Sequence, residues 1–224
     1  ASKEYRFIAL KEHIQKYKMN NLLSNYFNDY NIISINDITQ GQAITSLNGI
    51  DGIDNDSSIT ISACDHALLF DQQKFSRLIY NKEIDIIVWS KSGHRAAIHN
   101  PEMYSWLEVD SNLIKNIFVK KQYNSPLIDP IVTGTFTFRN ISIFEKLLKH
   151  LLNREGKVNG EFYLDSCIED AIKLGFRCEV FFVDHFLCWG TPNELDIFKY
   201  WQTCFDKWPN HRYKYDKDIL FNSR

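Results

Sequence analysis

The sequence predicts an α/β protein: a doubly wound, mostly parallel mixed sheet with helices on both faces, plus a small β-rich part. Three observations predict it. Short β-branched runs alternate with helical stretches through residues 5–89, the βαβαβαβ order of a parallel sheet with covering helices. The second half instead sets strand-like runs side by side around turn residues, so the sheet is mixed. The chain of 224 residues, 44% hydrophobic and 14% aromatic, carries enough apolar side chain for a substantial core.

Residues 5–10 read as a strand, followed by a helix with Ile14, Tyr17, Leu22 and Leu23 as its apolar positions. Residues 32–35 are the next strand, and Gly41 then opens a helix whose Ala43, Ile44, Leu47 and Ile50 mark one face. Residues 59–65 form a β-branched run without clean alternation that stops on Asp65. Such a run suits a buried parallel strand covered on both faces, and its carboxyl end is where open α/β sheets bind ligands. Asp71 can cap a helix carrying Phe75, Leu78 and Ile79, and residues 84–89 are a further strand.

Beyond it, residues 104–109 and 117–119 are strands around an Asp110-Ser111-Asn112 turn, and 124–130 is a polar, proline-bearing loop. Residues 131–138 form a strand broken by Gly134, which marks a bulge or a close backbone approach. Ser142 to Glu145 reads as a capping box for a helix with Phe144, Leu147, Leu148, Leu151 and Leu152. Residues 164–174 are a helix ended by Gly175, and 178–183 a strand. Thr191-Pro192-Asn193-Glu194 opens the last long helix with a capping box and proline at its first position. No repeat or linker interrupts the chain, so residues 1–224 read as a single domain.

Lys plus Arg number 26 and Asp plus Glu 28, a net charge of -2, which gives no basic face for nucleic acid. No apolar run reaches the ~18 residues of a membrane span. The opening residues Ala-Ser-Lys-Glu-Tyr-Arg hold no signal-peptide h-region. The five cysteines (Cys64, Cys167, Cys178, Cys188, Cys204) are widely spaced without C-x-x-C pairing, as reduced thiols rather than a disulfide frame or zinc site would be. The expectation is a cytoplasmic protein without membrane or nucleic-acid partners. Apolar positions near Trp201 and Trp208 are either a homo-oligomer interface or aromatics that pack back on the domain.

Five places carry either chemistry or a plainer role. Asp65 is a ligand-site acid or a turn residue. Thr39-Gln40-Gly41-Gln42-Ala43 offers backbone N–H groups at a helix start, suited to an anion or base edge, or is only a cap. Glu161 and Asp165 lie four apart where a loop enters a helix; one can cap it, or Glu161 can accept hydrogen bonds from a polyol. Lys120 and Lys121 end a strand, as a solvated edge or as point charges for a phosphate. Asp184, His185 and Cys188 crowd one segment, but alternation sends Asp184 and His185 to opposite faces, and nothing local activates the Cys188 thiol. His66 reads as a packed or surface histidine.

In order, TQGQA (39–43), ISACD (61–65), FVKK (118–121), VTGTFTF (132–138), NGEFYLD (159–165) and WGTPNEL (189–195) resemble the sugar nucleotidyltransferases, or NDP-sugar pyrophosphorylases. The nearest likeness is to the branch serving bacterial capsule and surface polysaccharides, and it spans about residues 5 to 205. The resemblance implies a GT-A-like nucleotidyltransferase fold with a β-rich sugar-binding part. It implies an enzyme that joins a nucleoside triphosphate to a sugar 1-phosphate and releases pyrophosphate. Carried over, Gln40, Gly41 and Gln42 would bind the nucleotide, Gly134 and Glu161 the sugar, and Lys121, or else Lys120, the sugar phosphate. Asp65 would hold Mg²⁺.

Two departures stand out. The family begins with a strand and glycine-rich loop that cradle the triphosphate, a β–α unit of about 40 residues or more, and this sequence has no counterpart; its first strand matches the family's second. Many relatives also place a metal-holding acid where this chain reads Leu187-Cys188-Trp189-Gly190-Thr191. Cys188 is a poor Mg²⁺ ligand because hard cations prefer oxygen, and Asp184 is the nearby substitute. A glycosyltransferase using a nucleotide-sugar donor is a rival, although those often show Asp-x-Asp where this chain has Cys64-Asp65-His66. A non-catalytic nucleotide- or sugar-binding module is the third reading.

Overall fold

The computed structural model describes residues 4–218; residues 1–3, which open the segment examined for a signal peptide, lie outside it. In chain order the elements are β1 (Tyr5–Leu10), α1 (Lys11–Lys16), α2 (Met19–Leu23), β2 (Tyr30–Ile35), α3 (Gln42–Leu47), β3 (Ile59–Ser62), β4 (His66–Leu69), α4 (Gln72–Ile79), β5 (Ile86–Ser92) and α5 (Ala96–His99). There follow β6 (Trp106–Asp110), β7 (Leu113–Phe118), β8 (Pro130–Phe138), α6 (Ile141–Asn153), α7 (Leu164–Lys173), β9 (Cys178–Phe182), β10 (His185–Cys188) and α8 (Pro192–Lys207). Residues 4–63 with 69–186 form one compact unit, and residues 64–68 with 187–218 a second.

The first unit is built on a six-stranded sheet in the order β3-β8-β5-β9-β7-β6. Strands β3, β5, β6 and β9 run one way and β7 and β8 the other, so within this sheet only β5 and β9 are parallel neighbours. The sheet is mixed as expected, but its pairings are mostly antiparallel. Strands β1 and β2 form a separate parallel pair, and β4 pairs with β10 in a two-stranded ribbon.

Both faces of the six-stranded sheet are covered. On one, Ile86, Val88, Phe136, Phe138 and Val180 pack with Phe144, Leu147, Leu148 and Leu151 of α6 and Leu164, Ile168 and Ala171 of α7. Each buried Val, Leu, Ile or Phe among them stabilises the fold by roughly 1.5–3 kcal/mol. On the other, Phe75 of α4 sits 4.6 Å from the ring of Trp89 and 5.4 Å from that of Phe181. The Trp89 indole N–H donates to Thr137 across the sheet.

Three local expectations change. Strand β3 is an edge strand antiparallel to β8, not a buried parallel one: Ile59 and Ile61 face the core while Thr60 and Ser62 are exposed. That is the period-two pattern of a half-buried strand. The helix after β1 breaks in two at Lys18, which is left-handed at φ +47°. Helix α6 is capped by Asn140, whose side chain accepts from Ile143 N–H, so Ser142 lies inside the helix rather than at its cap. Other signals hold. Asp71 caps α4 through Gln73 and Lys74 N–H, and Thr191 and Glu194 form the reciprocal capping box of α8.

Candidate active site

Three of the six sequence segments meet in the first unit. The NGEFYLD segment begins with a tight turn: Asn159 and Gly160 are both left-handed, at φ +50° and +84°, and Val158 and Glu161 exchange backbone hydrogen bonds across them. Asn-Gly is the pair that tolerates two positive φ values in succession. Glu161 is therefore held on an exposed turn and does not cap α7, whose N-cap residue is Tyr163.

The next residue joins this turn to TQGQA. Phe162 N–H donates to Gln40 O at 2.8 Å, and Ala43 N–H donates to Phe162 O at 3.0 Å. A Cβ on Gly41 would lie 2.6 Å from both Phe162 N and O, and Gly41 has φ +119°. Glycine is needed there because another backbone occupies the side-chain position. The Ala43 N–H that a free helix start would offer an anion is thus already bonded. Gln40 instead lines an open cleft of about 620 Å³ with Asn36, Asp37, Ile44, Asn48 and Phe162.

The FVKK segment meets the same helix start. Lys120 Nζ donates to Met103 O at 2.6 Å and stands 5.2 Å from the centre of the Tyr163 ring. Lys120 N–H donates to Ser105 Oγ. Ser105 is 2% exposed, and so is buried with Asp165, which is 6% exposed and whose carboxylate faces the Ser105 hydroxyl and the Lys120 charge. Burial pushes the Asp165 carboxyl above its ordinary value, with Lys120 and Ser105 opposing the shift. Burial, then the Glu161 carboxylate, pushes the Tyr163 phenol up as well, so it stays protonated and able to donate. Lys121, next in the chain, is exposed. Sequence reasoning missed Ser105 altogether and saw Asp165 only as a capping acid.

Gly134 sits in β8 at φ +81°, where the β5–β8 register passes from Val88↔Phe136 to Ser90↔Val132. The extra β8 residues form the expected bulge, and Gly134 O accepts from Ala63 N–H. Asp184 is exposed; its N–H donates to Leu69 O and its carbonyl accepts from Lys91 Nζ.

Asp65 belongs to the second unit. Its carbonyl accepts from Trp189 N–H, its carboxylate stands 3.7 Å from His66 Nδ1, and its side chain is 54% exposed while that of His66 is buried. A Cβ on Gly190 would come within 3.1 Å of Asp65 Oδ2 and 3.6 Å of Cys188 Sγ, so glycine leaves room for the carboxylate. Burial pushes the Cys188 thiol up, against a bond from the Gly190 backbone, and the nearby Glu194 and Asp65 carboxylates push it further. It therefore remains a thiol and Glu194 accepts from it. Among the described residues no group of three or more His, Cys, Asp or Glu could hold a metal ion. Mg²⁺ is commonly held by one or two carboxylates together with substrate phosphates, and the exposed Asp65 fits that mode where Cys188 does not. The described cysteines are free, and no described helix is long and apolar enough to cross a membrane.

No protein family and no curated protein matches the chain by sequence. Solved structures match it by fold. A nucleoside-diphosphate-sugar pyrophosphorylase from Vibrio cholerae RC9 superposes with a TM-score of 0.70 at 17% identity, over 88% of this chain and 80% of that one. The inositol-1-phosphate CTP transferase of T. maritima gives 0.65 at 13% identity, over 88% and 75%. A UDP-glucose pyrophosphorylase complexed with UDP-glucose gives 0.64 at 13%, over 89% and 81%. The chain has the mixed α/β fold of these nucleotidyltransferases.

Proposed function

We propose that this chain is a nucleotidyltransferase that joins a nucleoside triphosphate to a sugar 1-phosphate or related phosphorylated metabolite and releases pyrophosphate. The observation that carries the reading is the meeting of TQGQA, FVKK and NGEFYLD on one fold shared with nucleotidyltransferases. In the reaction a phosphate oxygen of the acceptor attacks the α-phosphorus, the bond from that phosphorus to the bridging oxygen breaks, and pyrophosphate leaves. The protein's contribution is positioning and charge neutralisation.

In this reading Gln40, Gly41 and Gln42 hold the nucleotide, with the cleft beside Gln40 as the space for it. Lys121 meets the acceptor phosphate and damps repulsion between two anionic substrates. Gly134 contributes backbone contact to the sugar, and Glu161, held on its tight turn, accepts from sugar hydroxyls. Asp65 would hold Mg²⁺, which would neutralise phosphate charge. Polysaccharide precursor synthesis in the cytoplasm is the setting that the resemblance to the capsule branch supports.

A non-catalytic nucleotide- or sugar-binding module is the second reading. The observation favouring it is Cys188, a thiol bonded to Glu194 where many nucleotidyltransferases carry an acid. Pyrophosphate release, screened over the common nucleoside triphosphates and a panel of sugar 1-phosphates with Mg²⁺, separates the two. Release that requires both substrates is the expected result. Saturable binding without release favours the module, and transfer from a nucleotide-sugar without pyrophosphate favours a glycosyltransferase.

A further inference from the structure

The turn that carries Lys121 rests on a buried carboxylate. Lys120 has φ +51°, a left-handed conformation that costs a residue with a side chain free energy unless its surroundings fix it. Three contacts do so: Lys120 N–H to Ser105 Oγ at 3.1 Å, Lys120 Nζ to Met103 O at 2.6 Å, and Nζ over the Tyr163 ring. Ser105 is itself fixed, since its carbonyl accepts from Val132 N–H at 2.8 Å in the sheet. Asp165, the second residue of α7, closes the set by facing both the Ser105 hydroxyl and the Lys120 charge.

Keeping a carboxylate at such burial is costly, and an apolar side chain of similar size would serve a purely structural interior better. The helix start favours a negative charge there, but an exposed acid would gain that too. What the buried acid adds is a fixed partner for one hydroxyl and one ammonium group, both belonging to the turn at Lys120.

We infer that Asp165 is a positioning residue: acting through Ser105 and Lys120, it fixes the turn that presents Lys121 to an anionic substrate. The inference rests on the nucleotidyltransferase reading, which supplies the phosphate that Lys121 meets.

The test labels lysines with pyridoxal 5′-phosphate, a phosphate-bearing aldehyde, followed by borohydride. Peptide mass spectrometry then reads Lys121 against Lys82 and Lys115, two exposed lysines of the same unit. In the unaltered chain Lys121 is expected to be labelled in preference to both. Asp165→Asn and Ser105→Ala are expected to bring Lys121 down to the level of Lys82, with Lys82 unchanged and the thermal midpoint of Asp165→Asn held or raised. Where turnover is measurable, kcat is expected to fall about 10²-fold with the KM for the triphosphate unchanged, as a misplaced group predicts. No preference for Lys121 in the unaltered chain overturns the inference. So does an unchanged preference in a folded variant; if Asp165→Asn does not fold, Ser105→Ala carries the same two outcomes. The nucleotidyltransferase reading falls separately, when the unaltered chain releases no pyrophosphate across the substrate screen whatever the labelling shows.

Discussion

At Asp165 stability and positioning pull in opposite directions. Its folded pKa lies above the ordinary 3.8, with burial the largest cause. The folded state therefore holds the proton more tightly than the unfolded chain, and the favourable contribution, full below the ordinary value, is lost as pH rises through the raised one. Asp165→Asn removes that loss. Urea melts at acidic and neutral pH are expected to show a flatter pH dependence for the variant and equal or greater stability at neutral pH; a large loss there would contradict the burial argument. Gly41 is the converse case, a residue fixed by geometry alone. Gly41→Ala places a methyl group into the Phe162 backbone at a positive φ, so a thermal melt is expected to report at least the roughly 1–3 kcal/mol of backbone strain. Little in the sequence distinguished this glycine from an ordinary cap, because the atoms it avoids lie on a segment far along the chain.

At the scale of elements, α6 and α7 are joined by more than apolar packing. Arg154, at the end of α6, sets its Nε 2.8 Å from Oδ1 of Asp170 on α7, and His150 Nδ1 stands 3.3 Å from Oδ2. The Asp170 side chain is fully buried. Arg154→Ala leaves that carboxylate without its guanidinium and is expected to cost about 3–5 kcal/mol in denaturant unfolding, whereas replacing both partners by apolar residues recovers most of it. If the single and double variants lose equally, the pair is not what joins the helices. Elements whose cause lies within a turn were legible in the sequence: the Asp71 cap, the Thr191–Glu194 box, the Gly134 bulge and the Gly175 stop. Those decided elsewhere were not. Strand β3 takes its direction from β8, and Thr60 pairs with Thr137 across 77 positions. The break at Lys18 falls on a residue type that does not announce a left-handed turn.

For the whole molecule, the candidate site residues fall in two compact units. Within the first, TQGQA, FVKK and NGEFYLD come together through atoms that are largely backbone, which no spacing rule exposes. Within the second, the exposed Asp65 carboxylate lies beside Gly190. The tail after α8 folds back on that helix, through Gln202 to Tyr213 and Thr203 to Tyr215, while Trp201 and Trp208 stay half exposed. Of the two roles open to those aromatics, packing back describes the tail and leaves the tryptophans only partly covered. The central claim is that these pieces work as one nucleotidyltransferase. It is tested most directly by pyrophosphate formation from a nucleoside triphosphate and a sugar 1-phosphate with Mg²⁺, comparing the unaltered chain with Asp65→Ala and Lys121→Gln. The account predicts release that depends on both substrates and falls about 10²-fold in each variant, the scale of losing one fixed charge at a reacting phosphate. Release that both folded variants sustain at the unaltered rate would contradict it.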